Sequence, residues 1–168
     1  MKKREYFQNI LKSQLYIAIY KILGGMSMLD IRKIFSIGQN SIIRHVVQKS
    51  DTAGNYSKEL NELLATPACI GMVIKAAVET VDPYLPEGFI SIGHSTEFTH
   101  TAATSLGMTI TVKTSIIELG EHEIVMKIDA WDEQGEVGYG MHRRSVVEQE
   151  ALLKKARQRT RFLTNQKI

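Results

Sequence analysis

Five histidines are the side chains in this chain whose charge changes near neutral pH, which makes them the first candidates for proton transfer. Two of them share one stretch. Residues 89–100 read Phe-Ile-Ser-Ile-Gly-His-Ser-Thr-Glu-Phe-Thr-His, and strand alternation predicts His94, Thr96, Phe98 and His100 on one face. Two histidines on a strand face invite a metal reading. No carboxylate sits at ligand spacing beside them, so no metal site is expected. His142 and Arg144 follow Gly138 and Gly140, positions where a ligand or another backbone can approach closely. His45 and His122 carry no comparable pattern. Thr66 precedes Pro67, and this pair reads as a helix start, with the threonine oxygen as N-cap and proline at the first helical position. The only cysteine, Cys69, lies just inside that helix and reads as a small buried side chain.

The elements that must position these residues are centred on residues 65–84. Between Thr66-Pro67 and Pro83, which disfavours helical geometry at Asp82, almost every residue is apolar, and before Asp82 only Lys75 and Glu79 are charged. A helix apolar nearly all round must be wrapped by something. About fifteen residues give a rod of roughly 22 Å, enough to cross a curved sheet. Strands are predicted before it, over residues 41–48, and after it. Residues 50–57 read as a polar loop, and residues 58–64 as the lead into the helix. Pro86-Glu87-Gly88 turns into residues 89–100; Met108, Ile110 and Val112 alternate in the next strand; Ile124, Met126, Ile128 and Ala130 alternate in a third. A hairpin turn at residues 132–135 leads to a last strand over residues 136–147. Consecutive strands with short turns form an antiparallel meander, and a meander curled over one apolar helix is the hotdog architecture, an α+β fold. Its free sheet edge predicts pairing of two protomers.

Three parts are expected: an amphipathic N-terminal extension over residues 1–25, a hotdog domain over residues 26–147, and a basic C-terminal helix or tail over residues 148–168. The extension opens with Lys2-Lys3-Arg4, but its apolar positions are interrupted by Gln8, Asn9, Lys12, Ser13 and Gln14. It reads neither as a signal peptide nor as a membrane span. A composition of 43% hydrophobic and 23% charged residues is that of a soluble globular domain. The net charge of +3 conceals an asymmetry, because residues 51–142 carry four Lys/Arg against fourteen Asp/Glu. The basic tail lacks interleaved aromatics or a recognition motif, so no nucleic acid is expected as a partner. One cysteine excludes an internal disulfide and suits a reducing, cytoplasmic setting.

Five motifs occur in order: Ala65-Thr66-Pro67, residues 83–88 (Pro-Tyr-Leu-Pro-Glu-Gly), Ser91-Ile92-Gly93, residues 99–104 (Thr-His-Thr-Ala-Ala-Thr) and residues 138–144 (Gly-Tyr-Gly-Met-His-Arg-Arg). Together they resemble the fluoroacetyl-CoA thioesterase family of hotdog proteins, over residues 31–147. The resemblance implies hydrolysis of a small acyl-CoA thioester by a homodimer, with coenzyme A entering as part of the substrate or ligand and no separate cofactor. It implies Thr66 and His100 as catalytic residues and Gly93 as the glycine whose N–H lies near the thioester carbonyl. His94, Gly140, His142 and Arg144 complete the candidate substrate-binding set. Arg144 reads either as a contact to a CoA phosphate or as a structural ion pair. One departure stands out: eight residues after Thr66, where the family has a glutamate, this chain has Ile74. The alternative is therefore a hotdog module that binds acyl-CoA or a related ligand without turning it over.

Overall fold

A computed structural model describes residues 29–160, together with the single positions Leu11, Leu15 and Ala18, which are helical and exposed. The rest of the expected N-terminal extension and residues 161–168 lie outside the described residues. Five strands, β1 (Asn40–Val46), β2 (Phe89–His100), β3 (Thr109–Leu119), β4 (Glu123–Asp132) and β5 (Gly135–Glu148), form one antiparallel sheet over helix α1 (Thr66–Val81). This is the hotdog arrangement. A second helix, α2 (Gln149–Thr160), leaves the end of β5 and buries none of its residues.

The two prolines bound α1 as expected. Pro67 stands in its first turn, and Pro83 diverts the chain into a short 3-10 turn at Asp82–Tyr84. The expected cap is not formed. Ala65, in extended conformation, takes the N-cap position, Thr66 is already helical, and no side chain caps the helix. The Thr66 hydroxyl is thereby left for another partner. On the inner side of α1, Cys69, Val73, Ala76, Ala77, Thr80 and Val81 are buried, the spacing of one helical face. Cys69, Val73 and Ala76 join Ile43, Ile110, Val112 and Ile128 in one core cluster. Ala77 and Val81 join Ile31, Ile116, Ile124 and Met126 in a second. The opposite side is not wrapped: Pro67, Gly71, Ile74 and Lys75 are exposed, so the sheet encloses one face of α1 and not the whole rod.

The strand order also differs from a simple meander. It is β1-β3-β4-β5-β2, so only β3, β4 and β5 follow one another; β2 lies beside β5 at one edge, and β1 beside β3 at the other. Residues 101–108 carry the chain across the end of the sheet between β2 and β3. They are held there from both sides. The Thr101 and Ala102 N–H groups donate to the Val137 carbonyl (2.8 and 3.3 Å), while the Leu64 N–H donates to the Thr104 carbonyl (2.9 Å). Close pairing of β2 with β5 explains Gly138 and Gly140. A Cβ on Gly138 would sit 2.6 Å from the Thr99 carbonyl oxygen, and one on Gly140 would collide with the Glu97 carbonyl. Gly140 thus admits the neighbouring strand's backbone, and no ligand-binding role for it follows from the structure.

Candidate active site

Thr66 and His100 come together at the end of the sheet. The crossing loop and the start of α1 are tied by the Leu64–Thr104 hydrogen bond, two residues before Thr66 and four after His100. In the resulting geometry Thr66 Oγ1 is hydrogen-bonded to His100 Nδ1 at 2.9 Å. The pair opens on a pocket of about 470 Å³, lined on one side by Thr66, Pro67 and residues 100–103 and on the other by Ala53, Tyr56, Leu60 and Leu63. That second wall is a finding of the structure. Residues 49–60 are not a plain polar loop but three 3-10 turns, Lys49–Asp51, Ala53–Asn55 and Lys58–Leu60, folded over the start of α1. The Ala65 N–H donates to the Asp51 carbonyl (2.9 Å) and fastens them there. Tyr56, Leu60 and Leu63, apolar and close before Thr66, were the signal available for this wall.

His100 is half-buried, and burial lowers its pKa from the ordinary histidine value; the Ala102 backbone carbonyl opposes this more weakly. The ring is therefore neutral at pH 7. Its Nε2 is enclosed and has no hydrogen-bond partner among the described residues. His100 lines the pocket beside Thr66, with Nδ1 turned to the hydroxyl. If the hydroxyl donates to Nδ1, Thr66 Oγ1 is polarised toward attack or toward accepting a proton. If Nδ1 carries the hydrogen, Thr66 Oγ1 is the acceptor.

The remaining candidates are placed elsewhere. His94 does not share the face of His100. A β-bulge between Gly93 and Ser95 adds a residue to β2 and turns His94 to the outer face. There its Nε2 lies 3.1 Å from Glu123 Oε1, beside Arg143. Thr96, Phe98 and His100 keep the inner face; Phe98 packs on the core, and its ring centroid is 5.9 Å from that of His100. Arg144 is not presented to a phosphate. It is 2% exposed, and its guanidinium donates to Ser91 Oγ (2.8 Å), to the Ser91 carbonyl (2.7 Å) and to His142 Nε2 (3.2 Å). Ser91 in turn donates to Asp82, which closes a buried polar network below β2. The Arg144 guanidinium is thus taken up by hydrogen bonds to Ser91 and His142 inside the protein.

His142 belongs to the same network and is buried. A guanidinium only donates, so His142 Nε2 must accept and Nδ1 must carry the hydrogen it gives to Thr96 Oγ1 at 2.8 Å. Burial, with the Arg144 charge behind it, lowers the His142 pKa to about 4. His142 also explains Gly93. A Cβ there would stand 2.8 Å from His142 Cε1 and 3.1 Å from its Nε2. Gly93 lies seven residues from His100 along β2, about 20 Å at the usual rise per residue. Along the strand it therefore stands well apart from the Thr66–His100 pair. Ile74, on the outer side of α1, is 43% exposed. Among the described residues no cluster of metal-ligating side chains occurs, and no helix is long and apolar enough to cross a membrane.

Residues 47–150 match the sequence pattern of the family described as fluoroacetyl-CoA-specific thioesterase. The chain belongs to that family. A relative named fluoroacetyl-CoA thioesterase, from Streptantibioticus cattleyicolor, is 32% identical over 126 residues, covering 75% of this chain and 88% of the relative. Among solved structures, a hot-dog-like protein from Thermanaerovibrio acidaminovorans superposes with a TM-score of 0.75 at 32% identity, covering 78% of this chain and 97% of that one. A variant of the fluoroacetyl-CoA thioesterase in complex with acetyl-CoA gives a TM-score of 0.70 at 30% identity, covering 75% and 99%. In this family member Thr66 and His100 are hydrogen-bonded to each other, and the position eight residues after Thr66 is occupied by Ile74, a side chain with no polar atom.

Proposed function

We propose that this protein hydrolyses small acyl-CoA thioesters, with Thr66 and His100 as the reacting pair. The observation that carries the reading is the 2.9 Å bond between Thr66 Oγ1 and His100 Nδ1 at the mouth of the pocket. A thioester carbonyl placed against Thr66 would meet an oxygen backed by a neutral imidazole. As an oxygen nucleophile (Thr66 Oγ1 itself, or a water that passes its proton to Thr66) bonds to the carbonyl carbon, the proton moves to His100 Nδ1. When the tetrahedral intermediate collapses, the C–S bond breaks and the imidazolium returns that proton to the CoA sulfur. Where Thr66 Oγ1 is the nucleophile, a water then attacks the acyl-Thr66 ester, and its proton passes through His100 to Thr66 Oγ1 as the acyl C–O bond breaks; by either course thioester plus water becomes carboxylic acid plus thiol. Unpaired N–H groups in the first turn of α1 favour the developing oxyanion.

The site is proposed to be completed in a homodimer. The roughly 20 Å between Gly93 and His100 along β2 fits a role for Gly93 only if it faces the reacting pair of a second copy. The exposed apolar side of α1 and the edge position of β2 are consistent with such pairing. A buried free cysteine, Cys69, whose thiol burial raises to about 11, suits the cytoplasm. Ile74 taken alone favours binding without turnover; the Thr66–His100 pair speaks for turnover. The test is a panel of acetyl-, propionyl- and butyryl-CoA, read by thiol release with calorimetric binding in parallel. Binding of these esters with no thiol release above the uncatalysed rate would overturn the proposal.

A further inference from the structure

Thr104 is completely buried although its side chain is polar. Its Oγ1 donates to Asp132 Oδ2 at 2.8 Å, and Asp132, at the end of β4, also accepts from the Gln134 N–H through Oδ1 (2.8 Å). The Thr104 carbonyl receives the Leu64 N–H. Around it, Leu63 and Ser105 form an antiparallel bridge, and the Leu106 N–H donates to the Glu62 carbonyl at 2.7 Å. One short loop therefore carries three attachments. It continues from His100, it holds the strand of chain that becomes Thr66, and its one buried hydroxyl is anchored on the β4–β5 hairpin. Neither Thr104 nor Asp132 lines the pocket.

From this arrangement we infer that Thr104 and Asp132 are positioning residues for thioester hydrolysis: their hydrogen bond fixes the loop from which Thr66 and His100 are both held, and so sets the distance between Thr66 Oγ1 and His100 Nδ1. The inference rests on the proposed reaction. A hydrogen bond to a carboxylate is stronger and more directional than a neutral one, and a misplacement on the order of 1 Å in reacting groups lowers rates by roughly a hundredfold. Loss of the anchor should thus be felt in turnover more than in binding.

The test compares Thr104→Val, which keeps shape and removes the hydroxyl, with Thr104→Ser, which restores it. For acyl-CoA hydrolysis by the full chain, Thr104→Val should lower kcat about tenfold or more with KM changed less than about threefold, and Thr104→Ser should recover most of the loss. A second reading does not depend on activity. The NMR titration of His100 should move in Thr104→Val toward the ordinary histidine value, because a loosened ring is better hydrated. Since Thr104 is a core position, Asp132→Ala, at a partly exposed site, repeats both measurements if Thr104→Val does not fold. A fall in melting temperature with kcat and the His100 titration unchanged would overturn the inference. If the wild type releases no thiol, the proposed reaction fails, yet the His100 titration still decides whether this anchor holds the pair.

Discussion

Replacing Thr66 with valine separates two accounts of this residue. If Thr66 were the helix cap that its place before Pro67 suggests, its loss would cost about 1 kcal/mol through unsatisfied N–H groups of α1, whatever stands at position 100. In the structure Ala65 occupies the N-cap position and the hydroxyl is bonded to His100. Valine would leave Nδ1 unpaired on a half-buried ring whose Nε2 already has no partner among the described residues. Leaving such a group unsatisfied costs about 1–3 kcal/mol. That loss depends on the histidine. A double-mutant cycle in urea should therefore give a cost of about 1–3 kcal/mol for Thr66→Val in the wild type and only a few tenths in a His100→Ala background. Thiol release by Thr66→Val should fall roughly a hundredfold or more, while Thr66→Ser, which keeps the oxygen, stays active. An equal cost in both backgrounds would restore the cap and refute the pairing.

Stability should depend on pH through His142. Its pKa is about 4 in the folded protein and near 6.5 unfolded, so between these values the unfolded chain binds a proton that the native state refuses. Stability is full above pH 6.5 and is lost as pH falls toward 4, on the order of 3 kcal/mol over the whole window. Urea midpoints at pH 7 and 5, above most carboxylate titrations, should show the decline, and His142→Gln should flatten it; an unchanged slope would mean that His142 is not the group responsible. Ile74 is half-exposed, so a glutamate there should fold, and Ile74→Glu is expected to raise thiol release. A wild type already turning over at about 10 per second or faster would show that no carboxylate is missing. Light scattering over a concentration series should give a dimer, and a stable monomer at micromolar concentration would remove Gly93 from the site.

Much of this was legible in the chain. Pro67 and Pro83 mark the limits of α1 because proline acts locally, through a fixed φ and a missing donor. The alternations at Ile110–Val112 and Ile124–Ile128 marked inner faces for the same local reason. What was not legible depends on pairing. Residues 89–100 alternate without a visible break, and only the register against β5 places the bulge that turns His94 outward. Arg144 reads equally as a phosphate contact or an ion pair, and its hydrogen bonds to Ser91 join β5 to β2, strands that the sequence alone does not bring together. The places of β1 and β2 in the sheet follow from their pairing with β3 and β5, contacts far apart in sequence. The Thr66–His100 pair was reached through motifs. Its hydrogen bond, and the loss of the cap that makes it possible, needed the fold.

The central claim is that the Thr66–His100 pair cleaves a thioester, and one measurement meets it directly: steady-state thiol release from acetyl-CoA by the wild type and by His100→Ala, each verified as folded by circular dichroism. Release by the wild type should exceed the uncatalysed rate, and His100→Ala should be slower by roughly a hundredfold or more. Equal rates from two folded proteins would contradict the claim.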